Sequence, residues 1–303
     1  MKWIKQGIIF EPKGNIEWMK THAALPIADN LGGDLYRIYF SSRDSKNRSF
    51  TCFIDININN PRKILNISRR PILSPGELGT FDDSGTMASC IVNSDKKKYL
   101  YYIGWNVGMN IPYRNSIGLA ISDNKKTFKK WSKGPIIDRD SLEPYFTASC
   151  YVMIENRIWK MWYLSGVGWT VYDGKPRPRY HIKYAESKDG INWKRNGVVS
   201  IDFKNKSEWA ISRPSIIKES KNYNMWYSYR ENSNYRIGYA ESKDGINWKR
   251  KDDEAGIDVS KSGWDSEMIE YPFVFVHKGK KYMLYNGNNY GKTGFGYATL
   301  SNS

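Results

Sequence analysis

Acidic residues recur at one place in this 303-residue chain, just ahead of runs that read as strands. Asp82 and Asp83 precede Thr86, Glu143 precedes Phe146, and Glu267 and Glu270 bracket Met268. The matching stretches elsewhere carry Arg213 before Pro214 and His22 before Ala23, with Arg43-Asp44 after the strand that follows His22. A carboxyl group at the rigid end of a strand can give or take a proton. A lone one is more often a solvated turn residue, so it is the recurrence that makes an acidic site.

The elements that position these residues follow from an internal repeat. The string Tyr184 to Arg195 (YAESKDGINWKR) returns unchanged at Tyr239 to Arg250, 55 residues later. Each copy follows an aromatic run, Met161-Trp162-Tyr163 or Met225-Trp226-Tyr227, and fainter copies lie at Leu100 to Trp105, Tyr282 to Gly287 and Leu35 to Phe40. Similarity at such a period marks a solenoid, propeller or array. Five units open near His22, Thr86, Phe146, Ala210 and Met268, and each reads as four short strands. The expectation is all-β, a single five-bladed propeller domain over residues 1–303. Its chemistry belongs at the mouth of the central channel, where the innermost strands begin. Strand alternation puts Glu267, Ile269 and Tyr271 on the face shared with Ile211 and Arg213 and turns Glu270 away, so Glu267 is preferred and Glu270 comes second.

The Ser-Lys-Asp-Gly-Ile-Asn-Trp hairpins at 187–193 and 242–248 have a structural reading. Asp bonds its own turn, Gly supplies a positive φ, and Trp anchors the hairpin against the next blade. A sugar-binding loop is the other reading, and the pattern resembles the Asp-box of sialidases.

Lys and Arg outnumber Asp and Glu by 47 to 31, a net charge of +16. Scattered lysines such as Lys96 to Lys98 read as solvated turns, or the excess draws anionic ligands such as phosphate or a nucleotide sugar. Nucleic acid is excluded as a partner because the basic residues sit in separate turns. No apolar run is long enough to span a membrane and no secretion signal opens the chain. The three cysteines, Cys52, Cys90 and Cys150, read as small hydrophobes in a reducing cytoplasm. The three histidines have no metal-ligand spacing, and no nucleotide-cofactor fingerprint occurs, so neither metal nor cofactor is expected.

Five blades with acids at the inner-strand starts and S-x-D-G-x-x-W hairpins resemble the five-bladed propeller glycosidases: the arabinanase and xylosidase group, the invertase and levansucrase group, and the mannoside phosphorylases. Phe81-Asp82-Asp83, Trp264-Asp265-Ser266-Glu267-Met268 and Tyr285-Asn286-Gly287-Asn288 are more closely similar to glycosidase-like propellers encoded among bacterial surface-polysaccharide genes. The Asn-Asp-Pro-Asn-Gly motif of the invertase group is absent, and blade one has His22 where an acid is expected.

The resemblance implies paired carboxyl groups, one protonating the leaving oxygen and the other acting as base or nucleophile. Glu267 or Glu143 would be the acid and Asp83 the base, with Asp82 and Asp44 close by and Asp44 tuning their pKa values. Arg43, Arg213 and Arg230 would hold an anionic group. Trp105, Trp169, Tyr229 and Tyr271 would face the sugar, with His22, Glu270 and Asn286 bonding to it. The partner is then a sugar, oligosaccharide or activated sugar. A glycoside hydrolase, a phosphorylase or transferase, and a non-catalytic sugar-binding propeller all remain open, since fold alone does not fix function.

Overall fold

The computed structural model describes residues 1–123 and 127–301. After an opening strand β1 (Trp3–Phe10), blade one comprises β2 (Thr21–Gly32), β3 (Leu35–Arg43), β4 (Ser49–Asn57) and β5 (Asn60–Ile67). Blade two comprises β6 (Gly85–Ser94), β7 (Lys97–Asn106), β8 (Arg114–Ser122) and β9 (Lys129–Lys130); blade three β10 (Thr147–Glu155), β11 (Ile158–Tyr172), β12 (Lys175–Ser187) and β13 (Trp193–Ile201). Blade four comprises β14 (Ala210–Glu219), β15 (Asn222–Arg230), β16 (Arg236–Ser242) and β17 (Trp248–Arg250). Blade five has only β18 (Glu270–His277), β19 (Lys280–Asn286) and β20 (Phe295–Leu300) from its own stretch of chain. Its fourth strand is β1, antiparallel to β20 from Trp3 opposite Leu300 to Phe10 opposite Phe295, so the two chain ends close the sheet and no edge of β20 is left open. The inner strands touch in the order β2, β6, β10, β14, β18 and back to β2. The molecule is a closed β-propeller.

Strand alternation is clearest in β4, where Cys52, Ile54 and Ile56 are buried while Phe53 and Asp55 face outward. Arg37 of β3, directly opposite Asp55, donates to it at 2.7 Å and lies 3.6 Å from the centre of the Phe53 ring. The core is a set of seams between blades. Trp162 is buried among side chains of blades three and four, and Trp226 among those of blades four and five. Burying each such ring stabilises the fold by about 3 kcal/mol.

Every inner strand carries a register shift at the same place, beside Leu25, Ser89, Ala148, Arg213 and Tyr271. Leu25, Arg213 and Tyr271 adopt φ values of 55 to 57°, and each precedes a proline. A bulge takes an amide out of the ladder, and a side chain of the preceding blade accepts it. Asn286 takes the amide of Leu25 (2.9 Å), Ser41 that of Ala88 (3.2 Å), Ser89 that of Cys150 (2.7 Å), Ser149 that of Arg213 (3.1 Å) and Ser228 that of Tyr271 (2.7 Å).

The two identical hairpins are structural staples. Asp189 accepts the amides of Ile191 and Asn192 at 2.8 Å, and Asp244 those of Ile246 and Asn247 at 2.8 Å. Gly190, at φ +74°, presents its carbonyl to the Tyr101 hydroxyl at 2.8 Å, and Gly245 presents its own to Trp162 Nε1 at 2.7 Å. The hairpin tryptophans Trp193 and Trp248 pack on Tyr101 and Trp162, so each hairpin grips the preceding blade rather than the next. Burial works to raise the Asp189 pKa, but bonds from the Asn192 side chain and from the two amides outweigh it and hold it at about 2, so their stabilisation is present at neutral pH and is lost as pH falls from the ordinary carboxylate range toward that value. Asp244→Ala, which frees two amides, should lower stability by about 1 kcal/mol. Thermal unfolding at pH 7 measures this, and an unchanged melting temperature would contradict the staple.

Candidate functional site

Most acids named from the sequence are engaged in the blades rather than in the channel. Asp82 accepts from the Tyr102 hydroxyl at 3.0 Å and from Lys130 Nζ at 2.6 Å. Glu143 accepts from the Tyr163 hydroxyl at 2.7 Å, Arg195 at 3.1 Å and Lys183 at 3.3 Å. Asp265 does the same with the Tyr285 hydroxyl at 2.9 Å and Lys5 at 2.7 Å. In each of these blades the acid stands 20 residues before a second-strand tyrosine. Blade four uses Tyr227 with Asp252, which shares Arg250 with Glu208. In blade one the matching residue is Phe40, which has no hydroxyl and packs on Phe10 and Phe295. The tyrosine spacing is a sequence signal that was there to be read. Asp83 accepts from the Gly79 amide and the Ser84 hydroxyl at 3.0 Å within its turn, and Asp44 caps its own loop through the amides of Lys46 and Arg48 at 2.9 Å.

The central cavity, of about 630 Å³, lies where the inner strands begin. It is lined by Arg43, Trp105, Arg230 and Tyr271 from the sequence-derived set, and by Tyr113, Arg177, Tyr180, Trp209, Tyr235 and Tyr290, which sequence reasoning missed. Asp44, Asp82, Asp83, Glu143, Glu267 and Glu270 are not among its lining residues. Glu267 is exposed on the turn before β18, and its carbonyl accepts from Arg236 at 3.0 Å. The two-residue alternation used to prefer it does not reach it, because β18 starts at Glu270 and the left-handed Tyr271 breaks the period. Asn286 has no group left for a sugar: its oxygen takes the Leu25 amide, and its nitrogen donates to Ala23 (2.8 Å) and Gly294 (2.7 Å). Trp169 packs on Tyr113 and Phe146 behind the cavity wall, and Tyr229 lies in the seam beside Tyr227.

Glu270 is the acid that register places in the channel. It pairs with Asn286 as Ser212 pairs with Ser228 and Met87 with Ile103, and Ser212, Met87, Ala148 and Ala24, at the corresponding positions, all line the cavity. Its side chain is fully buried, and neither carboxyl oxygen has a hydrogen-bond partner among the described residues. Burial pushes its pKa well above the usual carboxylate range, opposed by the nearby Arg230 charge.

Other positive groups lie near the axis. Arg213 is fully buried and reaches across the axis from blade four to the carbonyls of Pro26 (3.2 Å) and Ser89, one or two residues beyond the cavity-lining Leu25 and Met87. Burial pulls its pKa down to about 10. His22, bonded to Thr21 at 2.9 Å, is driven down to about 4 by burial and the charges of Arg43 and Lys292, so it is neutral. The cysteines are unpaired and buried, and burial raises Cys90 to about 11, which removes thiolate chemistry.

No family model matches the chain. Two Mycobacterium tuberculosis proteins, "Uncharacterized protein MT1551" and "Uncharacterized protein Rv1502", are each 41% identical over 302 residues, covering 100% of both sequences. The chain belongs to their family. Among solved structures, a glycosyl hydrolase from Bacteroides ovatus matches this fold with TM-score 0.73, 14% identity and coverage of 100% of this chain and 94% of that one. A thermostable family-43 glycoside hydrolase matches with TM-score 0.67, 18% identity and coverage of 94% and 90%. A structure described by the words "The GH130 family of mannoside phosphorylases contains glycoside hydrolases that target beta-1,2 mannosidic linkages in Candida mannan" matches with TM-score 0.72, 16% identity and coverage of 99% and 94%. The fold is that of the propeller glycoside hydrolases and their phosphorylase relatives.

Glu143 and Glu270 should behave oppositely. Glu143→Ala strips a buried cationic cluster of its anion and should cost about 3 to 5 kcal/mol. Glu270→Gln removes a carboxyl whose folded pKa is raised. Stability of the native chain falls as pH rises from the unfolded carboxyl pKa toward that raised value, so the glutamine variant should match or exceed it at pH 8. Thermal unfolding at pH 5 and pH 8 compares them, and a glutamine variant that loses stability at both would make Glu270 structural.

Proposed function

We propose that this chain is a carbohydrate-active enzyme that breaks or transfers a glycosyl bond in the central cavity, with Glu270 as proton donor. The observation that carries this reading is the acid that register places in the channel ring, buried behind an aromatic and arginine-lined cavity and raised in pKa by that burial. Aromatic faces such as those of Trp105 and Tyr271 suit sugar rings, and a neutral carboxyl at pH 7 can protonate a departing oxygen. Hydrolysis by the paired-carboxylate route needs a second carboxylate to activate water, and no carboxyl group, Glu270 included, is among the cavity-lining residues. Phosphorolysis or transfer from an activated sugar does not, because phosphate brings its own negative charge. The bond from the anomeric carbon to the departing oxygen breaks as a bond to a phosphate oxygen forms, and the Glu270 proton goes to the departing oxygen. The unpaired cysteines support a reducing cytoplasm, and the resemblance supports a role in surface-polysaccharide metabolism.

A second reading, a sugar-binding module without turnover, is favoured by the complete burial of Glu270, which leaves its carboxyl covered. Anomeric proton signals followed by NMR over a panel of oligosaccharides, sugar phosphates and nucleotide sugars, with and without phosphate, separate the two. The expected result is phosphate-dependent turnover that falls on the alkaline side as Glu270 ionises and is reduced about a hundredfold or more in Glu270→Gln. Saturable binding with no turnover would establish the module instead.

A further inference from the structure

We propose that Arg177 and Arg230, both packed on the ring of Trp209, form a binding site for an oxyanion carried by the sugar ligand. This rests on the carbohydrate reading of the cavity and adds the chemical class of its ligand.

The two guanidinium groups come from different blades. Arg230 ends β15, whereas Arg177 sits on the long β11–β12 hairpin of blade three, where it pairs with Thr170. Their guanidinium carbons lie 4.3 Å (Arg230) and 5.1 Å (Arg177) from the centre of the Trp209 ring, and all three residues line the cavity. Arg230 is also 3.8 Å from the Tyr235 ring centre, and its Nη1 donates to the Ser233 carbonyl at 3.2 Å and the Tyr290 hydroxyl at 3.1 Å. Arg177 packs against Tyr172 at 4.1 Å. Trp209 is itself fixed by a bond from its Nε1 to the Asn232 carbonyl at 3.3 Å. The aromatic rings hold both planes without neutralising them.

What each guanidinium lacks is an anion. Arg37, Arg195 and Arg250, which are also largely buried, each pair with a carboxylate; among the described residues no carboxylate pairs with Arg177 or Arg230. The Nε of each is buried and has no hydrogen-bond partner. An unsatisfied buried donor on a charged group is costly, and a forked guanidinium is relieved by a planar or tetrahedral oxyanion accepting two parallel N–H bonds. Two such edges on one indole, in a wall that also carries Arg43, therefore suit a phosphate or carboxylate group rather than a hydroxyl.

Isothermal titration of the full chain with inorganic phosphate, glucose 1-phosphate, glucuronate and glucose tests the site. The expected result is saturable binding of at least one anion and none of glucose, weakened about tenfold or more in Arg177→Gln and in Arg230→Lys, which keeps the charge but loses the fork. Arg179→Gln, two residues from Arg177 and packed on Phe203 outside the cavity, should bind as the native chain does. Tighter phosphate or sugar phosphate would name a phosphorylated ligand, and tighter glucuronate an acidic sugar. Anion binding that is unchanged in both variants, or weakened equally in Arg179→Gln, overturns the proposal, as does the absence of anion binding. Arginine-dependent binding without turnover upholds this site while removing the enzymatic reading. Turnover of neutral sugars with no anion binding does the reverse.

Discussion

Closing the propeller leaves at least one amide per inner strand without a ladder partner, and the whole structure depends on how those amides are met. The bulges at Leu25, Ser89, Ala148, Arg213 and Tyr271 turn the strands about the axis, and at every seam an oxygen of the preceding blade accepts the displaced amide. A buried donor left unmet costs about 1 to 3 kcal/mol, so small polar residues, not apolar ones, occupy Ser41, Ser89, Ser149, Ser228 and Asn286. The same constraint explains why Asn286 has no hydrogen-bonding group to spare.

Charge is sorted by this architecture. Where a blade meets its loop, a tyrosine hydroxyl and a lysine or arginine hold a buried acid, as at Asp82, Glu143 and Asp265. These acids are neutralised where they sit. Along the axis the reverse holds: Arg213, Arg230 and Arg177 have no carboxylate partner among the described residues, and burial pushes the pKa of Glu270, the channel acid, well up. Uncompensated buried charge is expensive, and its concentration at one mouth of the ring is what sets that mouth apart from the seams.

The exact repeat, the Asp-Gly turns and the recurring aromatic strands made the blades and their inner strands legible from the residues alone, because hairpin chemistry and strand period are local properties. The fourth strand of blade five was not legible in that way. β1 lies almost three hundred residues from β20, and nothing in Trp3–Phe10 names its partner.

The site was legible only in part, for the same physical reason. Arg43, Trp105, Arg230 and Tyr271 could be placed at the mouth by counting along strands. Which acids face the channel could not, because a left-handed Tyr271 redirects the side chains around it and turns Glu270 into the channel ring while leaving Glu267 on the surface. The sequence by itself determined the repeat, the β architecture and the excess of positive charge. Only the tertiary structure decided which carboxyls are clamped by tyrosines 20 residues on and which one is buried alone, since burial and neighbouring charge arise from blades far apart in the chain.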